Sequence, residues 1–306
     1  MEKFKSGFVS IIGRTNAGKS TLLNALVGEK VAITTYKSQT TRTAIKAIVN
    51  RPNSQIIFID TPGIHKSTTK LGEIMINTAF GVIPDTDITL FLVDGSYGKI
   101  GKGDKAVLEK IKELKKKTIL VINKIDLIKK EEVLKTINMY KNEYDFTAII
   151  PISAEKQKNI EELLEEIEKH IPQGPAYYNI DEYTDQTSRQ LVEETIREKA
   201  LKLLDDEIPH GIYVEVEKMN LRKTLKGEDI YNTEATIYCL RESHKGIIIG
   251  KNGEMLKKIG TYARQDLEQM LQTKINLKIW VKVNKNWLDN PNIVKKFENK
   301  WILFNN

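Results

Sequence analysis

Eight residues near the N-terminus have the types and spacing that bind a phosphate chain. Residues 13–20 read Gly-Arg-Thr-Asn-Ala-Gly-Lys-Ser and match the pattern G-x-x-x-x-G-K-[ST]. In such loops the glycines let backbone N–H groups curl around phosphate oxygens at the N-terminus of a helix. We expect Lys19 to contact the β- and γ-phosphates and Ser20 to ligate Mg²⁺. ATPases and kinases use the same loop, so it predicts a nucleotide without identifying the base.

Three later segments predict that the base is guanine. Asp-Thr-Pro-Gly begins at Asp60, which is predicted to hold Mg²⁺ through water, and ends at Gly63, whose N–H can meet the γ-phosphate. Asn-Lys-Ile-Asp ends at Asp126, whose carboxylate can accept hydrogen bonds from N1–H and N2–H of guanine, a donor pair that adenine lacks. Ser-Ala can offer the Ala154 N–H to guanine O6. All four segments in this order favour a GTP or GDP site and oppose a P-loop kinase, an alternative that shares the first loop.

The predicted nucleotide contacts all lie in these four segments. They are Gly13, Asn16, Ala17, Gly18, Lys19, Ser20, Thr21, Asp60, Thr61, Pro62, Gly63, Asn123, Lys124, Asp126, Ser153 and Ala154. Lys124 should pack along the base and the P-loop. A threonine between the P-loop and Asp60 should complete the Mg²⁺ shell and sense the γ-phosphate. Thr40 and Thr41 both stand in this interval, and the order of elements leaves the choice between them open.

The elements that position these residues follow from the apolar periodicity. Apolar runs starting near residues 8, 56, 89, 118 and 148 are nearly continuous, as is typical of strands buried on both faces of a parallel sheet. Amphipathic stretches separate them, as the helices of a doubly wound α/β domain would. The motifs follow the runs, and ligands of such sheets bind at the carboxyl ends of the strands. The first domain is therefore predicted to be a P-loop α/β G domain with a mostly parallel sheet.

A stretch with Pro, Gly and Tyr but without periodicity divides the chain. The predicted parts are a G domain over 1–171, a linker over 172–187, a second domain over 188–290 and a tail over 291–306. The apolar patterns of the second domain give the order α-β-β-α-α-β, a smaller α+β fold. Cys239 should be a buried apolar residue in one of its strands.

Residues 250–253 read Gly-Lys-Asn-Gly between two helical stretches and match the pattern G-x-x-G. KH domains lay this loop against the sugar-phosphate backbone of about four nucleotides. A plain helix-cap turn is the alternative, but the α-β-β-α-α-β order and the nearby lysines favour RNA. The apolar residues Ile247, Ile248 and Ile249 could line the floor of the groove under the bases, although core packing explains them equally well. Trp280 and Trp287 are candidates for stacking on RNA bases. Burial is predicted instead for Trp280, because it lies in a strand, and the choice is left open for Trp287. The predicted RNA contacts are Lys245, Gly246, Ile249, Gly250, Lys251, Asn252, Gly253 and Lys257.

The charge distribution also indicates a polyanionic partner. The chain has a net charge of +7, and residues 241–306 contain 13 Lys/Arg against 6 Asp/Glu, an excess as large as that of the whole chain. Nucleic acid or an anionic membrane surface would suit this basic end. A membrane-surface GTPase switch is therefore the rival hypothesis, although no basic amphipathic helix stands out to support it. The single cysteine and the lack of a long apolar run lead us to expect a cytoplasmic protein without a transmembrane segment.

Together, these segments resemble the Era family of bacterial GTPases. The likeness runs from about residue 8 to residue 287 and includes Gln-Thr-Thr-Arg, Asp-Thr-Pro-Gly-Ile-His, Asn-Lys-Ile-Asp and Gly-Lys-Asn-Gly. The resemblance implies a type II KH domain that binds the 3′ end of 16S ribosomal RNA during assembly of the small (30S) subunit. It also implies that Thr41 is the switch threonine and ligates Mg²⁺ with Ser20 and Asp60. We expect a monomer whose contact with the inner membrane face, if any, is weak and peripheral.

The resemblance also bears on catalysis, for which the expected residues are Lys19, Thr41, Gly63 and Asn16. Ile64 occupies the place where Ras-like switches carry a water-orienting glutamine, so intrinsic hydrolysis should be slow. Asn16 is similar to the P-loop asparagine that coordinates potassium in related GTPases. A K⁺ ion held there would offset developing negative charge much as an arginine does. The alternative is that Asn16 only shapes the loop.

Overall fold

The computed structural model describes residues 3–35, 37, 40–64, 67–205 and 208–298. Gln39 and His65, which belong to two of the motifs shared with the Era family, lie outside these residues, as does the end of the predicted tail. The described residues divide into two compact units. The first contains those within Met1–Thr34, Ser38–Asp185 and Val294–Asn306, and the second those within Thr35–Lys37 and Gln186–Ile293.

The first unit is an α/β domain built on six strands. These are β1 (Lys5–Ile12), β2 (Ile45–Arg51), β3 (Ser54–Asp60), β4 (Ile88–Asp94), β5 (Thr118–Asn123) and β6 (Ala148–Pro151). They form one sheet in the order β2-β3-β1-β4-β5-β6, in which β2 is antiparallel to β3 and the other neighbours are parallel. The helices are α1 (Lys19–Val27), α2 (Lys70–Gly81), α3 (Lys102–Leu114), α4 (Lys130–Lys141) and α5 (Ile160–His170). The predicted fold class is confirmed.

Burial explains which strands the apolar pattern could predict. Every residue of β3 and β5 is buried, so these strands are continuous apolar runs. In β2, buried and half-buried positions are mixed, because this strand lies at one end of the strand order. Our sequence analysis did not predict β2. The five strands that it did predict place their carboxyl ends along one edge, where the motif loops begin.

The segment that we predicted to be a linker, residues 172–187, packs against the sheet of the first unit over most of its length. The Ile48 N–H donates to the Tyr183 carbonyl at 3.0 Å. Asn50 Nδ2 donates to the Ile180 carbonyl at 2.8 Å. The outer edge of β2 would otherwise expose its backbone polar groups, and the segment covers them. Up to Asp185 it belongs to the first compact unit.

The second unit has the predicted order α-β-β-α-α-β. Its elements are α6 (Ser188–Leu203), β7 (Tyr213–Lys223), β8 (Asp229–Cys239), α7 (Glu242–Ile249), α8 (Glu254–Leu271) and β9 (Lys274–Val283), and a short helix α9 (Pro291–Val294) follows. In its sheet, β8 lies between β7, to which it is antiparallel, and β9, to which it is parallel. One face of the sheet packs against helices α6 and α8 and forms a separate core.

Trp280 and Trp287 have opposite environments. Trp280 is 44% exposed, so our prediction that it is buried is wrong. Successive side chains of a strand point to opposite faces, and in β9 it is the next residue, Val281, that faces the core. Trp287 is buried, and its Nε1–H donates to the Gly211 carbonyl at 3.0 Å. Cys239 is a buried thiol, as predicted.

Candidate nucleotide site and nucleic-acid interface

The P-loop connects β1 to α1 at the carboxyl edge of the sheet, and its path requires glycine. A Cβ atom on Gly13 would stand 2.3 Å from the Leu92 carbonyl oxygen, and one on Gly18 would stand 2.3 Å from the Asn123 amide nitrogen. Gly18 also has φ 95°, and Asn16 has φ 62°, both in the left-handed region. The loop therefore turns tightly into the N-terminus of α1, where helix geometry favours an anion.

The Lys19 ammonium lies beneath the loop that it is predicted to serve. Its Nζ donates to the carbonyl oxygens of Gly13 and Arg14, both at 3.2 Å. Burial lowers the pKa of Lys19 to about 8, although the charge of Asp60 acts in the opposite direction. Phosphate oxygens would favour the protonated form again. Lys19 is thus a desolvated cation positioned at the phosphate-binding loop.

Three side-chain oxygens meet where the sequence predicts Mg²⁺. Ser20 Oγ donates to Asp60 Oδ2 at 2.8 Å and lies 2.8 Å from Thr41 Oγ1, which donates to the same carboxylate oxygen at 3.2 Å. Burial raises the pKa of Asp60, and its Oδ1 has no hydrogen-bond partner among the described residues. Hydroxyl and carboxylate oxygens are the ligands that Mg²⁺ prefers. The cluster of Ser20, Thr41 and Asp60 therefore has the chemistry that the predicted metal requires.

Two loops at the ends of β5 and β6 form the candidate guanine site. Asn123 joins them to the P-loop, since its Nδ2 donates to the Ala17 carbonyl at 2.9 Å. Ser153 Oγ donates to Asp126 Oδ1 at 2.6 Å and orients an otherwise exposed carboxylate. The Ala154 N–H donates to Asn123 Oδ1 at 3.0 Å. We expected that N–H to be available to guanine O6; in this structure it already has a partner, so a bond to O6 would have to be shared with Asn123.

Asp94, at the end of β4, belongs to the site although our sequence analysis missed it. Lys124 Nζ donates to Asp94 Oδ2 and to the Asn16 carbonyl, both at 2.8 Å. Lys124 therefore packs against the P-loop, as the sequence predicts. The available signal was the position of the carboxylate, since Asp94 directly follows a predicted strand. In the structure the sheet register pairs Asp94 with Asn123.

The turn after β3 is held against β1 and the P-loop by hydrogen bonds. The Ile64 N–H donates to the Gly13 carbonyl at 3.1 Å, and Thr61 Oγ1 donates to the Ile11 carbonyl at 2.8 Å. A Cβ atom on Gly63 would stand 2.8 Å from Thr15. The Ile64 side chain is buried, so the place of the missing glutamine is packed with apolar atoms. The hydrogen bond from Thr61 to Ile11 stabilises this turn against β1.

The remaining predicted contacts lie in the same loops. Thr21 follows Ser20 in the first turn of α1, and Pro62 precedes Gly63. All the residues predicted from the four nucleotide motifs thus lie within the first unit, on segments that meet at one edge of its sheet.

In the second unit, the G-x-x-G segment is a sharp turn between α7 and α8. Gly250 has φ 73°, Asn252 has φ 52° and Gly253 has φ 78°, so three of its four residues are in the left-handed half of backbone space. A Cβ atom on Gly250 would stand 2.7 Å from Met255. Lys251 and Asn252 are exposed at the tip of the turn. The turn therefore offers a cation and an amide to solvent at the N-terminus of the 18-residue helix α8.

The helix before this turn divides its three isoleucines between core and solvent. Ile248 is fully buried, Ile249 packs partly against the core, and Ile247 is 51% exposed. Lys257 is exposed on α8, and Lys245 and Gly246 lie on α7. Ile249 thus has the core packing that we left as an alternative to a groove role. Among the described residues, no helix is both long and apolar enough to cross a membrane.

Comparison with family models agrees with the division into two units. Residues 8–124 match a family described as "50S ribosome-binding GTPase", and residues 207–288 match the KH domain family. Together these regions contain the nucleotide loops up to Lys124 and the G-x-x-G turn.

Several relatives match along almost the whole chain. GTPase Era of Clostridium kluyveri is 51% identical over 292 residues, which cover 95% of this chain and 98% of the relative. GTPase Era of Clostridium tetani is 50% identical over 294 residues, which cover 96% of this chain and 98% of the relative.

Two solved structures share the fold throughout. One is Era in complex with MgGDPNP and nucleotides 1506–1542 of 16S ribosomal RNA, with a TM-score of 0.92, 39% identity, and coverage of 96% of this chain and 98% of that one. The other is a single-substitution variant of Aquifex aeolicus Era bound to GDP·AlF₄⁻, with a TM-score of 0.91, 38% identity, and coverage of 96% and 99%.

Proposed function

The chain belongs to the Era family of GTPases, and from this premise we propose that it is a GTP-hydrolysing switch whose KH domain binds the 3′ end of 16S ribosomal RNA during small-subunit assembly. The reaction is hydrolysis of GTP to GDP and phosphate. The relative solved with MgGDPNP and nucleotides 1506–1542 supports the choice of RNA, because its fold covers both units of this chain.

The observation that carries the nucleotide half is the convergence of Ser20, Thr41 and Asp60 beside Lys19. Thr41 comes from the segment before β2, whereas Ser20 and Asp60 lie at the ends of core elements. Mg²⁺, when bound, supplies charge neutralisation at the β- and γ-phosphate oxygens. Thr41 is then held by Mg²⁺ only when a γ-phosphate is present, and in this way the segment senses the nucleotide state.

Hydrolysis in this site rests on positioning and charge without a covalent intermediate. Lys19 faces the phosphates, and the Gly63 N–H is the donor proposed for the γ-phosphate. Ile64 cannot orient water, because its side chain is apolar and buried. The Arg14 guanidinium lies 3.8 Å from the centre of the Tyr97 ring and is engaged there. We therefore expect intrinsic hydrolysis to be slow.

K⁺ at Asn16 is the added cation that we propose for this slow reaction. The Asn16 side chain is exposed at the P-loop, and an amide oxygen is a suitable ligand for a hard cation. Such an ion would offset charge that develops on phosphate oxygens in the transition state. GTP or GDP, Mg²⁺ and K⁺ are thus the proposed small-molecule partners.

The RNA half is supported by the turn before α8, in which Gly250, Asn252 and Gly253 have positive φ angles at the helix N-terminus. KH domains use this geometry to grip about four nucleotides of single-stranded RNA through the backbone. Lys251 adds charge at the tip of the turn, and Lys245 and Lys257 flank it in sequence. We propose that single-stranded RNA from the 3′ end of 16S rRNA lies against this turn.

A direct comparison of RNA and lipid binding tests the class of partner. We propose that the protein is a cytoplasmic monomer. Filter binding should detect a complex with a 16S 3′-end fragment, and the affinity should fall steeply with salt. Co-sedimentation with vesicles of anionic phospholipid should be weak at the same ionic strength. Strong co-sedimentation together with absent RNA retention would favour the membrane-surface switch instead.

Identification of the cellular RNA tests the target itself. Crosslinking in living cells, followed by sequencing of the RNA that is recovered, should give reads concentrated at the 3′ end of 16S rRNA. Reads concentrated in another RNA would contradict the proposed role in small-subunit assembly.

A further inference from the structure

One carboxylate, that of Asp94, contacts two positively charged side chains of the nucleotide site. Its Oδ2 accepts from Lys124 Nζ at 2.8 Å and lies 3.4 Å from Arg14 Nη2. Its Oδ1 accepts from the Ser96 N–H at 3.0 Å and from Ser96 Oγ at 2.6 Å. Both oxygens are therefore engaged, and the side chain is only 10% exposed. Asp94 is a fixed point between the P-loop and the loop that recognises guanine.

The first cation, Lys124, links Asp94 to the P-loop. Its ammonium reaches Asp94 with one hydrogen bond and the Asn16 carbonyl with another, both at 2.8 Å. The Lys124 backbone has φ 65°, in the left-handed region that few non-glycine residues adopt. A charge-assisted hydrogen bond at this distance is stronger than one between neutral groups. Asp94 thus restrains the lysine that clamps the P-loop.

The second cation, Arg14, is a P-loop residue whose guanidinium has three partners. It lies 3.8 Å from the centre of the Tyr97 ring, 3.4 Å from Asp94 and 3.9 Å from the buried carboxylate of Asp104. A planar guanidinium suits both the aromatic face and the carboxylates. Because Arg14 directly follows Gly13, this arrangement also fixes the start of the phosphate-binding loop.

Charge balance shows why the shared carboxylate matters. Lys124 and Arg14 both approach the same oxygen, so without Asp94 their two positive charges would be close neighbours and would repel each other. Burial alone would raise the pKa of Asp94, but the hydrogen bonds from Lys124 and Ser96 outweigh it and leave the pKa below its ordinary value. The carboxylate is therefore charged at neutral pH and holds both cations.

We propose that Asp94 is a positioning residue that prolongs the residence of guanine nucleotide by holding Lys124 and Arg14 against the P-loop. The proposal rests on the guanine-nucleotide site described above and adds a residue outside its sequence motifs. Asp94 acts through the two cations, so its effect should appear in the rate at which nucleotide leaves rather than in the choice of base.

The test is the dissociation rate of a fluorescent GDP analogue, measured by stopped flow with excess GDP. Asp94→Asn should release the analogue about tenfold faster, as expected for the loss of one charge-assisted contact. The increase should persist at high salt, since a change in long-range attraction alone would be screened there. Asp145→Asn, which removes the same charge at an exposed position before β6, is the matched control and should release at the wild-type rate.

A double-mutant cycle separates positioning from a purely structural role. In the Lys124→Gln background, Asp94→Asn should have much less than its tenfold effect, because its main target is gone. An undiminished effect in that background, or a wild-type release rate for Asp94→Asn, would overturn the proposal. Asp94→Glu keeps the charge and should recover part of the slow release; it also provides the measurement if Asp94→Asn does not fold. A wild-type protein that fails to bind the analogue at all would instead contradict the nucleotide site itself.

Discussion

The Ser153 hydroxyl lies 2.6 Å from Asp126 Oδ1 and donates a hydrogen bond to it, so a residue at the end of one strand orients the carboxylate that follows another. Asp126 is exposed, whereas Ser153 is fully buried. The carboxylate is thus presented to solvent in a fixed orientation. This geometry suits recognition of two adjacent donors on the edge of a guanine ring.

Asp126→Asn should exchange guanine for xanthine preference. The new amide can donate to the xanthine O2 atom, whereas it cannot accept the pair of guanine donors that the carboxylate accepts. We expect GDP affinity to fall about 100-fold or more, the scale of hydrogen bonds to a charged group, and xanthosine diphosphate to bind better than to the wild type. Competition binding measures both. Asp145→Asn, at an exposed site, is the control, and equal binding of GTP and ATP by the wild type would contradict the site assignment.

GTP hydrolysis should be faster in K⁺ than in Na⁺ at equal ionic strength, with RNA present and Mg²⁺ saturating. Replacing Asn16 should abolish the difference, because its amide oxygen would no longer hold the ion. Asn16→Gly is the sharper variant, since Asn16 has φ 62° and alanine would add backbone strain to the loss of the ligand. Equal wild-type rates in the two salts would count decisively against the potassium proposal.

Trp287→Ala should destabilise the second unit by about 3–5 kcal/mol, the scale for emptying a buried aromatic site. Trp287 is fully buried and its indole N–H is bonded to the Gly211 carbonyl. Trp280→Ala is the matched control: because Trp280 is 44% exposed, we expect a loss of less than about 1 kcal/mol. Denaturant unfolding followed by circular dichroism measures both. Equal losses for the two variants would show that the environments are assigned incorrectly.

Cys239 should resist alkylation in the folded protein. Burial raises the pKa of its thiol, so the reactive thiolate is rarer at pH 8 than for an exposed cysteine, and the side chain is also shielded from reagent. Iodoacetamide at that pH should label the native protein slowly and the urea-unfolded protein fully, as measured by mass spectrometry. Rapid stoichiometric labelling under native conditions would contradict the packing of β8.

The nucleotide site was predictable where its chemistry is local in sequence. The P-loop, Asp60 and Asp126 each follow an apolar strand, and sequence order alone places the strand ends at one edge. Asp94 was missed because a single carboxylate at a strand end has no motif, and its partners come from distant parts of the chain. The bond from the Ala154 N–H to Asn123 was not predictable, because it depends on how two loops pack.

The fold was predictable to the extent that burial is uniform along a strand. β2 escaped detection because it lies at the sheet edge, where exposure breaks up the apolar run. Trp280 was assigned to the core because strand membership does not say which face a side chain occupies; the burial of Val281 sets that parity. The predicted linker segment covers the edge of β2, a contact that no local pattern encodes.

The most direct test of the proposed function is the affinity of the 16S 3′-end fragment for a protein with an altered G-x-x-G turn. Lys251→Asp combined with Asn252→Asp should abolish retention in a filter-binding assay while GDP binding persists, because it places negative charge beside phosphate. Leu225→Asp combined with Lys226→Asp makes the same change in charge in the exposed turn between β7 and β8 and should retain the RNA. Unchanged binding by the altered G-x-x-G turn, or equal losses in the two double variants, would contradict the claim that this KH turn holds the RNA.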